Sequence, residues 1–275
     1  MAIITISRQL GSLGDEIAKK LSEEVHFNYF DKDLLEEDLV KECQMSEKNV
    51  ERYDEKKPRF WETFSADRER YFHYLKTRLY KFAHQGDCVF TGMGGYMLFQ
   101  DIPGTLRVKI VAPEKLRIER VKTALNYDDR LAEQVVRHSD RDRAGFHKGF
   151  FHVNWEDTNF YDLILNTGIF TVEAAIRQLK DAIDSTGILA EKPEKDEKLA
   201  ERCLQYEVIS TIVCKERIPV KFLEVVVTSG AVILRGATIR KEHIKRCETI
   251  AREVSGVERV INEIRYIHNP YSMRS

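Results

Sequence analysis

The opening of the chain constrains its fold most, because an apolar stretch runs through a glycine-containing turn into an amphipathic stretch. Residues 3–7 alternate β-branched side chains, which is typical of a strand. Gly11 and Gly14 lie in the turn. Residues 15–24 place apolar side chains on one helical face, and two acidic residues stand where they favour a helix start. This order predicts a strand, a loop and a helix whose first N–H groups could bind phosphate.

The same alternation of strand and helix continues along the chain. Apolar strands are predicted at 88–91, 106–112 and 161–166, and helices at 114–124 and 171–183. Alternating strands and helices imply β-α-β units. The fold class predicted for this part is therefore α/β, with a doubly wound parallel sheet.

An aromatic stripe runs through residues 34–86, which are predicted to be mostly helical. Its members recur at spacings close to three and four, and we interpret them as the packing face of helices; a ligand-stacking role is the alternative. The stripe consists of Phe60, Trp61, Phe64, Tyr71, Tyr74, Leu75 and Leu79.

The character of the sequence changes after residue 184. Residues 185–198 contain runs of charge and Pro193, and they predict a linker between a domain at 1–184 and a second domain at 199–268. The second domain shows the pattern of a small α+β unit of order α-β-β-α-β. Its predicted elements are a helix at 199–213, strands at 222–227 and 232–234, a helix at 243–254 and a strand at 260–266.

Composition excludes several classes of protein. The formal net charge is −1, which argues against a general nucleic-acid binder. No stretch approaches the roughly 18–20 apolar residues that span a bilayer, and the N-terminus does not have the pattern of a signal peptide. The five cysteines are scattered, so we expect reduced thiols and a cytoplasmic protein. No spacing of His and Cys predicts a metal site formed by protein ligands.

The glycine loop departs from the usual phosphate-binding pattern. A Walker loop reads G-x-x-x-x-G-K-[ST], in which the lysine reaches the phosphates and the hydroxyl holds magnesium. Here Gly14 stands at the lysine position and Asp15 at the hydroxyl position. By spacing alone, a phosphate loop and a plain strand-to-helix turn are both open interpretations.

Several segments, taken together and in order, resemble a known family. They are S-R-Q-L-G-S-L-G-D-E-I-A-K-K-L at 7–21, F-D-K-D-L-L at 30–35, V-F-T-G-M-G-G-Y at 89–96, D-R-D-R at 140–143 and Y-D-L-I-L-N-T-G at 161–168. Across residues 3–183 the chain resembles the cytidylate kinase-like family of P-loop nucleoside monophosphate kinases. The resemblance implies ATP and Mg²⁺ as cofactors and phosphoryl transfer to a nucleoside monophosphate, CMP being the family's default.

The resemblance also assigns roles to individual residues. The residues implied for cofactor binding are Arg8, Gly11, Ser12, Gly14 and Asp15. Residues 137–147 would form a lid, and the residues implied for catalysis there are Arg137, Asp140, Arg141 and Arg143. Arginines suit such a lid because a planar guanidinium can hold two phosphate oxygens. Asp140 would orient Arg143 or help to hold magnesium, and Arg8 would partly replace the missing lysine.

Three departures from the family leave two functions open. Asp15 replaces a basic residue, Met93 replaces an arginine and Leu13 replaces a glycine. Each loss could cost on the order of 10²–10³-fold if that group stabilised the transition state. The chain is therefore either an active kinase or a non-catalytic nucleotide sensor; a scaffold that binds no nucleotide is the least favoured alternative.

The last part resembles a BON domain. The matching segments are V-V-V-T-S-G-A-V-I-L-R-G at 225–236 and G-V-E-R-V-I-N at 256–262. The unit has no evident nucleophile–base pair and no ligand cluster. The resemblance implies an interaction or regulatory module that binds a protein or a small molecule, and through which a sensor would signal.

Overall fold

The computed structural model describes residues 1–30, 35, 66–190 and 193–268. Its first part contains a five-stranded parallel sheet with the strand order β2-β3-β1-β4-β5, which confirms the predicted α/β fold. The elements in chain order are β1 (Ile3–Arg8), α1 (Gly14–Val25), β2 (Asn28–Phe30), α2 (Ala66–Ala83), β3 (Cys88–Thr91), α3 (Gly95–Leu98), β4 (Thr105–Val111), α4 (Glu114–Leu125), α5 (Asp129–Phe151), β5 (Leu163–Asn166) and α6 (Val172–Ser185).

Strand β1 lies at the centre of this sheet. Its side chains contribute to two hydrophobic cores, one on each face of the sheet. It pairs with β3 on one side and β4 on the other, so that Ile4 lies beside Val89 and Leu106. Successive strand residues point to opposite faces. Ile3 therefore packs in the core with the aromatic residues of α2, whereas Ile4 packs in the core with α1 and α6. Burial on both faces explains the nearly continuous apolar sequence of this strand.

The aromatic stripe is confirmed as a packing face where the structure describes it. Tyr71, Tyr74, Leu75 and Leu79 of α2 are all buried in the core with β1 and β3. The other three members of the stripe, at positions 60, 61 and 64, lie outside the described residues.

Strand β5 begins two residues later than the sequence predicts. The carboxylate of Asp162 accepts hydrogen bonds from the backbone N–H and the guanidinium of Arg107, at 2.9 Å and 2.6 Å. A 3₁₀ turn at Thr158–Phe160 precedes it. The side chain of Asp162 thus fixes the approach of the chain to the sheet, and regular pairing starts at Leu163.

The C-terminal part has the predicted order α-β-β-α-β. Strands β6 and β7 form an antiparallel hairpin, and β8 lies parallel to β7 on its other side. One face of this sheet packs on its helices around a separate core that includes Val225, Leu234 and Ile250. The elements are α7 (Pro193–Ser210), a π-helical turn (Thr211–Lys215), β6 (Lys221–Thr228), β7 (Ala231–Thr238), α8 (Lys241–Glu253) and β8 (Arg259–Tyr266).

Helix α7 includes the last residues of the segment 185–198, which the sequence predicts as a linker. The helix begins at Pro193, and its Lys195 is fully buried. Leu199 lies in the same core as Tyr80 of α2. The charge runs predicted a solvated segment, but they cover only one face of a helix whose other face packs on the first unit. The division into domains at residue 184 stays a prediction. No helix among the described residues is long and apolar enough to cross a membrane.

Candidate nucleotide site

The glycine loop lies at the carboxyl edge of the parallel sheet, between the end of β1 and the start of α1. The backbone N–H of Gln9 donates to the carbonyl of Ile110 at 3.2 Å, and the Gln9 side chain accepts from the N–H of Ala112 at 3.2 Å. The loop is thereby fixed to the end of β4. Open parallel sheets bind their ligands outside this edge.

The loop has a closed shape that requires two left-handed residues. Gly11 has φ +77° and Leu13 has φ +64°. Between them Ser12 is fully buried, and its hydroxyl donates to the carbonyl of Gln9 at 2.7 Å. A left-handed conformation costs a residue other than glycine roughly 1–2 kcal/mol. The fold imposes this conformation on Leu13, the position at which the resemblance implies a glycine.

Arg117 and Arg120 of α4 hold the carbonyl groups of the loop. Arg117 donates to the carbonyls of Ala112 and Leu10, at 3.1 and 3.4 Å. Arg120 donates to the carbonyl of Gly11 at 3.1 Å. A Cβ atom at Gly11 would lie 2.7 Å from the Arg117 carbonyl oxygen, so only glycine fits this close approach.

Thr167, which follows β5, completes this support. It accepts a hydrogen bond from Arg120 at 2.9 Å, and its hydroxyl donates to the carbonyl of Ser12 at 2.9 Å. Sequence reasoning gave no role to Arg117, Arg120 or Thr167. Their signal was two arginines three residues apart at the start of a helix, together with the N-T-G turn after β5.

The loop carbonyls point toward α4 and the end of β5 and therefore do not accept from the N–H groups in the first turn of α1. The N–H groups of Gly14, Asp15 and Glu16 donate to no acceptor within the described residues. Three such N–H groups at a helix N-terminus are a binding site for an anion such as phosphate.

Arg8 places its side chain across the start of α1. Its Nε donates to the carboxylate of Asp15 at 2.7 Å. A Cβ atom at Gly14 would lie 2.4 Å from the Cβ of Arg8, so a side chain at position 14 and Arg8 in this position exclude each other. The positive charge beside the loop therefore comes from the end of β1 instead of from position 14.

The residues predicted to form a lid lie in the middle of helix α5, and their side chains have different surroundings. Arg137 is exposed and forms ion pairs with Glu114 and Glu133, both at 2.8 Å. Arg141 is exposed, and its Nε donates to the carbonyl of Arg137 at 3.3 Å. Among the described residues Arg141 forms no ion pair, so its charge remains available.

Arg143 and Asp140 have different partners from those the sequence suggested. Arg143 is buried in the helix packing and donates to the hydroxyl of Ser139. It is therefore not part of an exposed surface in this structure. Asp140 binds Arg117 through both carboxylate oxygens, at 3.1 and 2.9 Å. Its carboxylate supports the loop through Arg117 instead of orienting Arg143.

Two further positions bear on the charge of the site. Met93, the position at which the resemblance implies an arginine, is buried in the core with α2. Lys109 of β4 is also buried, and its ammonium donates to the carbonyl of Trp155 at 2.9 Å and lies 4.4 Å from the centre of that residue's ring. Burial lowers the pKa of Lys109, although Glu156 partly opposes this shift. No cluster of three or more potential metal ligands occurs in the part of the chain that the structure describes.

Comparisons with known proteins find similarity to cytidylate kinases. The sequence is 25% identical to a cytidylate kinase of Methanocaldococcus jannaschii over 185 residues, which cover 66% of this chain and 98% of that protein. It is also 25% identical to a cytidylate kinase of Pyrococcus horikoshii over 202 residues, which cover 71% and 95%. A solved structure of an uncharacterized protein from Eubacterium ventriosum superposes with a TM-score of 0.52 at 22% identity, covering 67% of this chain and 99% of that one.

Two family profiles match separate parts of the chain. The profile of the BON domain matches residues 207–267, the part that contains the small C-terminal sheet. The profile of the cytidylate kinase-like family matches residues 3–169, which include the glycine loop, β4, β5 and helices α4 and α5. The chain therefore belongs to the cytidylate kinase-like family, with a BON domain after its kinase-like part.

Proposed function

We propose that this protein transfers a phosphoryl group from ATP to a nucleoside monophosphate, with CMP as the acceptor. The observation that carries the proposal is the glycine loop. Side chains of α4 and of the turn after β5 donate to its carbonyl groups, and the N–H groups of Gly14, Asp15 and Glu16 have no acceptor among the described residues. Phosphoryl transfer needs positioned donors and cations more than covalent chemistry by the protein. CMP is proposed because the relatives described above are cytidylate kinases.

The shape of the loop and the guanidinium of Arg8 support the proposal that the loop binds a triphosphate. Its left-handed residues, Gly11 and Leu13, give the loop the closed shape in which the N–H groups converge at the start of α1. The free N–H groups would donate hydrogen bonds to the phosphate oxygens, and Arg8 would place a guanidinium beside them. A guanidinium can hold two phosphate oxygens at once, a geometry that a lysine ammonium lacks.

Asp15 is the residue that fits a magnesium ion associated with ATP. Magnesium prefers oxygen ligands and is usually held by one or two carboxylates together with water and phosphate oxygens. The carboxylate of Asp15 is largely exposed and has Arg8 as its partner. When magnesium is bound to ATP, it neutralises charge on the phosphates. Asp15 would face that ion while its other oxygen keeps Arg8 in place.

Arg141 is the arginine of α5 that we assign to the transferring phosphoryl group. Arg137 is held by two glutamates and Arg143 is buried, whereas Arg141 is exposed without an ion pair among the described residues. Moving a guanidinium onto a phosphate requires less free energy when no ion pair with a carboxylate has to be broken first. Arg137 would take part only if Glu114 and Glu133 released it.

A non-catalytic nucleotide sensor is the second candidate function. The ion pair between Arg8 and Asp15 favours it, because this pair neutralises charge at the position where an active loop holds a free lysine. The buried position of Arg143 also removes one cation that a lid would supply. In a sensor, nucleotide binding would be retained and the BON domain would carry the response.

A transfer assay separates the two candidates. Purified full-length protein is incubated with ATP, Mg²⁺ and each of CMP, UMP, AMP and GMP, and the diphosphate products are separated by chromatography. The proposed kinase produces CDP, and Arg141→Ala lowers kcat by about 10²-fold. Arg130→Ala removes another exposed arginine of α5 and leaves the rate unchanged. ATP binding without any diphosphate product would instead establish the sensor.

The proposed function also indicates where in the cell the protein acts. ATP and nucleoside monophosphates are cytoplasmic metabolites, and we therefore propose the cytoplasm as its location. Four cysteines within the described residues, Cys88, Cys203, Cys214 and Cys247, are free thiols. The ligand proposed for the BON domain is a protein or a small molecule.

A further inference from the structure

A groove of about 780 Å³ lies where the end of α2, helix α7 and the BON domain meet. The first unit contributes Lys81 and His84, and the BON domain contributes residues of β6, α8 and the turns beside them. An occupant of the groove would therefore contact both parts of the chain. The apolar side chains that line it are Cys203, Leu204, Val227, Ile250 and Val254.

The rim of this groove carries an excess of negative charge. Lys81 and Lys215 are its two lysines, and both form ion pairs with Glu207. Its carboxylates belong to Glu197, Glu201, Glu207, Glu216, Glu253 and Glu258.

Four of these six glutamates form no ion pair within the part of the chain that the structure describes. Glu216 is paired with Arg246 at 2.8 Å, and Glu201 accepts the N–H of Ser229 at 3.1 Å. Glu201 therefore has a neutral partner only, and Glu197, Glu253 and Glu258 likewise form no ion pair with any described residue. Four carboxylates without an ion pair among the described residues thus surround an apolar surface.

This combination selects the chemistry of an occupant. An apolar surface binds an apolar side chain, and unpaired carboxylates bind lysine or arginine. An anionic lipid headgroup or a phosphate would be repelled by the same rim. We infer that the groove binds a protein segment that presents an apolar face flanked by lysine or arginine side chains.

Helix α2 gives such an occupant a direct connection to the first unit. Lys81 and His84 lie at its C-terminal end, and the chain then turns directly into β3. The occupant would also contact α7, which packs along α2. Binding in the groove is independent of whether the loop transfers phosphate.

Fluorescence anisotropy on the full-length protein tests this inference. The probe is a labelled 18-residue amphipathic peptide of leucine and lysine, and its counterpart has glutamate in place of lysine. We expect the lysine peptide to bind and its affinity to fall as the salt concentration rises, because exposed charges are screened. The glutamate peptide is expected not to bind.

Charge reversal at the rim locates the site. The double variant Glu253→Lys/Glu258→Lys is expected to bind the lysine peptide at least about tenfold more weakly. Asp181→Lys/Asp184→Lys makes the same change of charge at two exposed positions of α6 and is expected to bind like the unmodified protein. Circular dichroism and thermal melts establish that both variants are folded.

Alkylation of Cys203 provides an independent measurement of occupancy at the same site. This half-buried thiol lines the groove, so the bound lysine peptide is expected to slow its reaction with a maleimide, as followed by mass spectrometry. Equal binding of both peptides, an unchanged affinity of Glu253→Lys/Glu258→Lys, or an unchanged rate at Cys203 would overturn the inference. Binding of anionic phospholipid vesicles without binding of the lysine peptide would also overturn it.

Discussion

Asp140 of α5 accepts hydrogen bonds from both terminal nitrogens of Arg117 of α4, at 3.1 and 2.9 Å. Arg117 in turn donates to the carbonyl of Leu10 in the glycine loop. The side chain of Arg117 is only 4% exposed, whereas that of Asp140 is 29% exposed. A carboxylate on the predicted lid helix thus holds the arginine that holds the loop.

Replacing Asp140 tests this link. Asp140→Ala leaves the buried charge of Arg117 without its partner, and we expect the free energy of unfolding to fall by about 2 kcal/mol, less than for a fully buried pair because water reaches Asp140. Urea denaturation measures the change. Asp129→Ala breaks an exposed ion pair with Lys122 between the same two helices and is expected to cost less than about 1 kcal/mol. Equal losses in the two variants would contradict the structural role of Asp140.

Restoring the lysine of the Walker pattern is expected to impair the loop. A side chain at position 14 meets the Cβ of Arg8, so Gly14→Lys should bind ATP more weakly than the unmodified protein. Arg8 stands six residues before Gly14, at the first glycine of the Walker pattern. The double variant Gly14→Lys/Arg8→Gly is therefore expected to recover affinity. Tighter binding by Gly14→Lys alone, measured by calorimetry, would show that Arg8 does not limit this position.

Helix α7 should contribute to the stability of the kinase-like part. Tyr206 stacks on Tyr80 of α2 with ring centres 5.2 Å apart and planes inclined by 3°, and its carbonyl accepts from Thr77 at 2.9 Å. Tyr206→Ala is expected to lower the free energy of unfolding by about 3 kcal/mol. Tyr266→Ala removes a tyrosine that is 38% exposed and should cost less than about 1 kcal/mol. Equal effects in urea denaturation would mean that α7 contributes no such support.

His73 makes stability depend on pH between about 4 and 6.5. Burial, with a smaller contribution from Lys76, lowers the pKa of this histidine to about 4. The unfolded chain, with a pKa near 6.5, takes up a proton first, so the stabilisation is complete above about pH 6.5 and is lost as the pH falls through about 4.

The size of this effect can be measured by replacing the histidine. We expect the unmodified protein to lose about 2 to 3 kcal/mol more than His73→Gln between pH 7 and pH 4. His84→Gln removes an exposed histidine of the same region and should retain the full pH dependence. Urea midpoints across this pH range measure both. Parallel curves for the unmodified protein and His73→Gln would exclude His73 as the origin.

The sequence predicted the fold well because its signals are local. Alternating strands and helices, interrupted by glycines, are sufficient to identify a parallel α/β sheet and the position of the loop after β1. Residues 193–198, which the sequence predicts as part of a linker, lie in helix α7, because charge runs describe only one face of a helix. Leu199, Cys203 and Tyr206 recur at spacings of four and three within the helix that the sequence predicts at 199–213, and the structure extends this helix back to Pro193.

The site was less predictable because its contacts join residues far apart in the chain. The loop pattern predicted that Arg8 and Asp15 both lie beside the phosphate-binding position. Pairing of Arg117 with Asp140 spans 23 residues, and the bond from Thr167 to Ser12 spans 155. Neither follows from a periodicity. The burial of Arg143 depends on which face of α5 packs inward, which the run of alternating charges at 140–143 did not indicate.

Calorimetric titration of the full-length protein with ATP, with and without Mg²⁺, tests the central claim most directly. We predict magnesium-dependent binding that weakens at least about tenfold in Arg8→Ala, since Arg8 supplies the cation beside the loop. Arg177→Ala, which removes an exposed arginine of α6, should bind as the unmodified protein does. Absence of detectable binding of ATP, GTP or CMP at millimolar concentration would contradict both the kinase and the sensor.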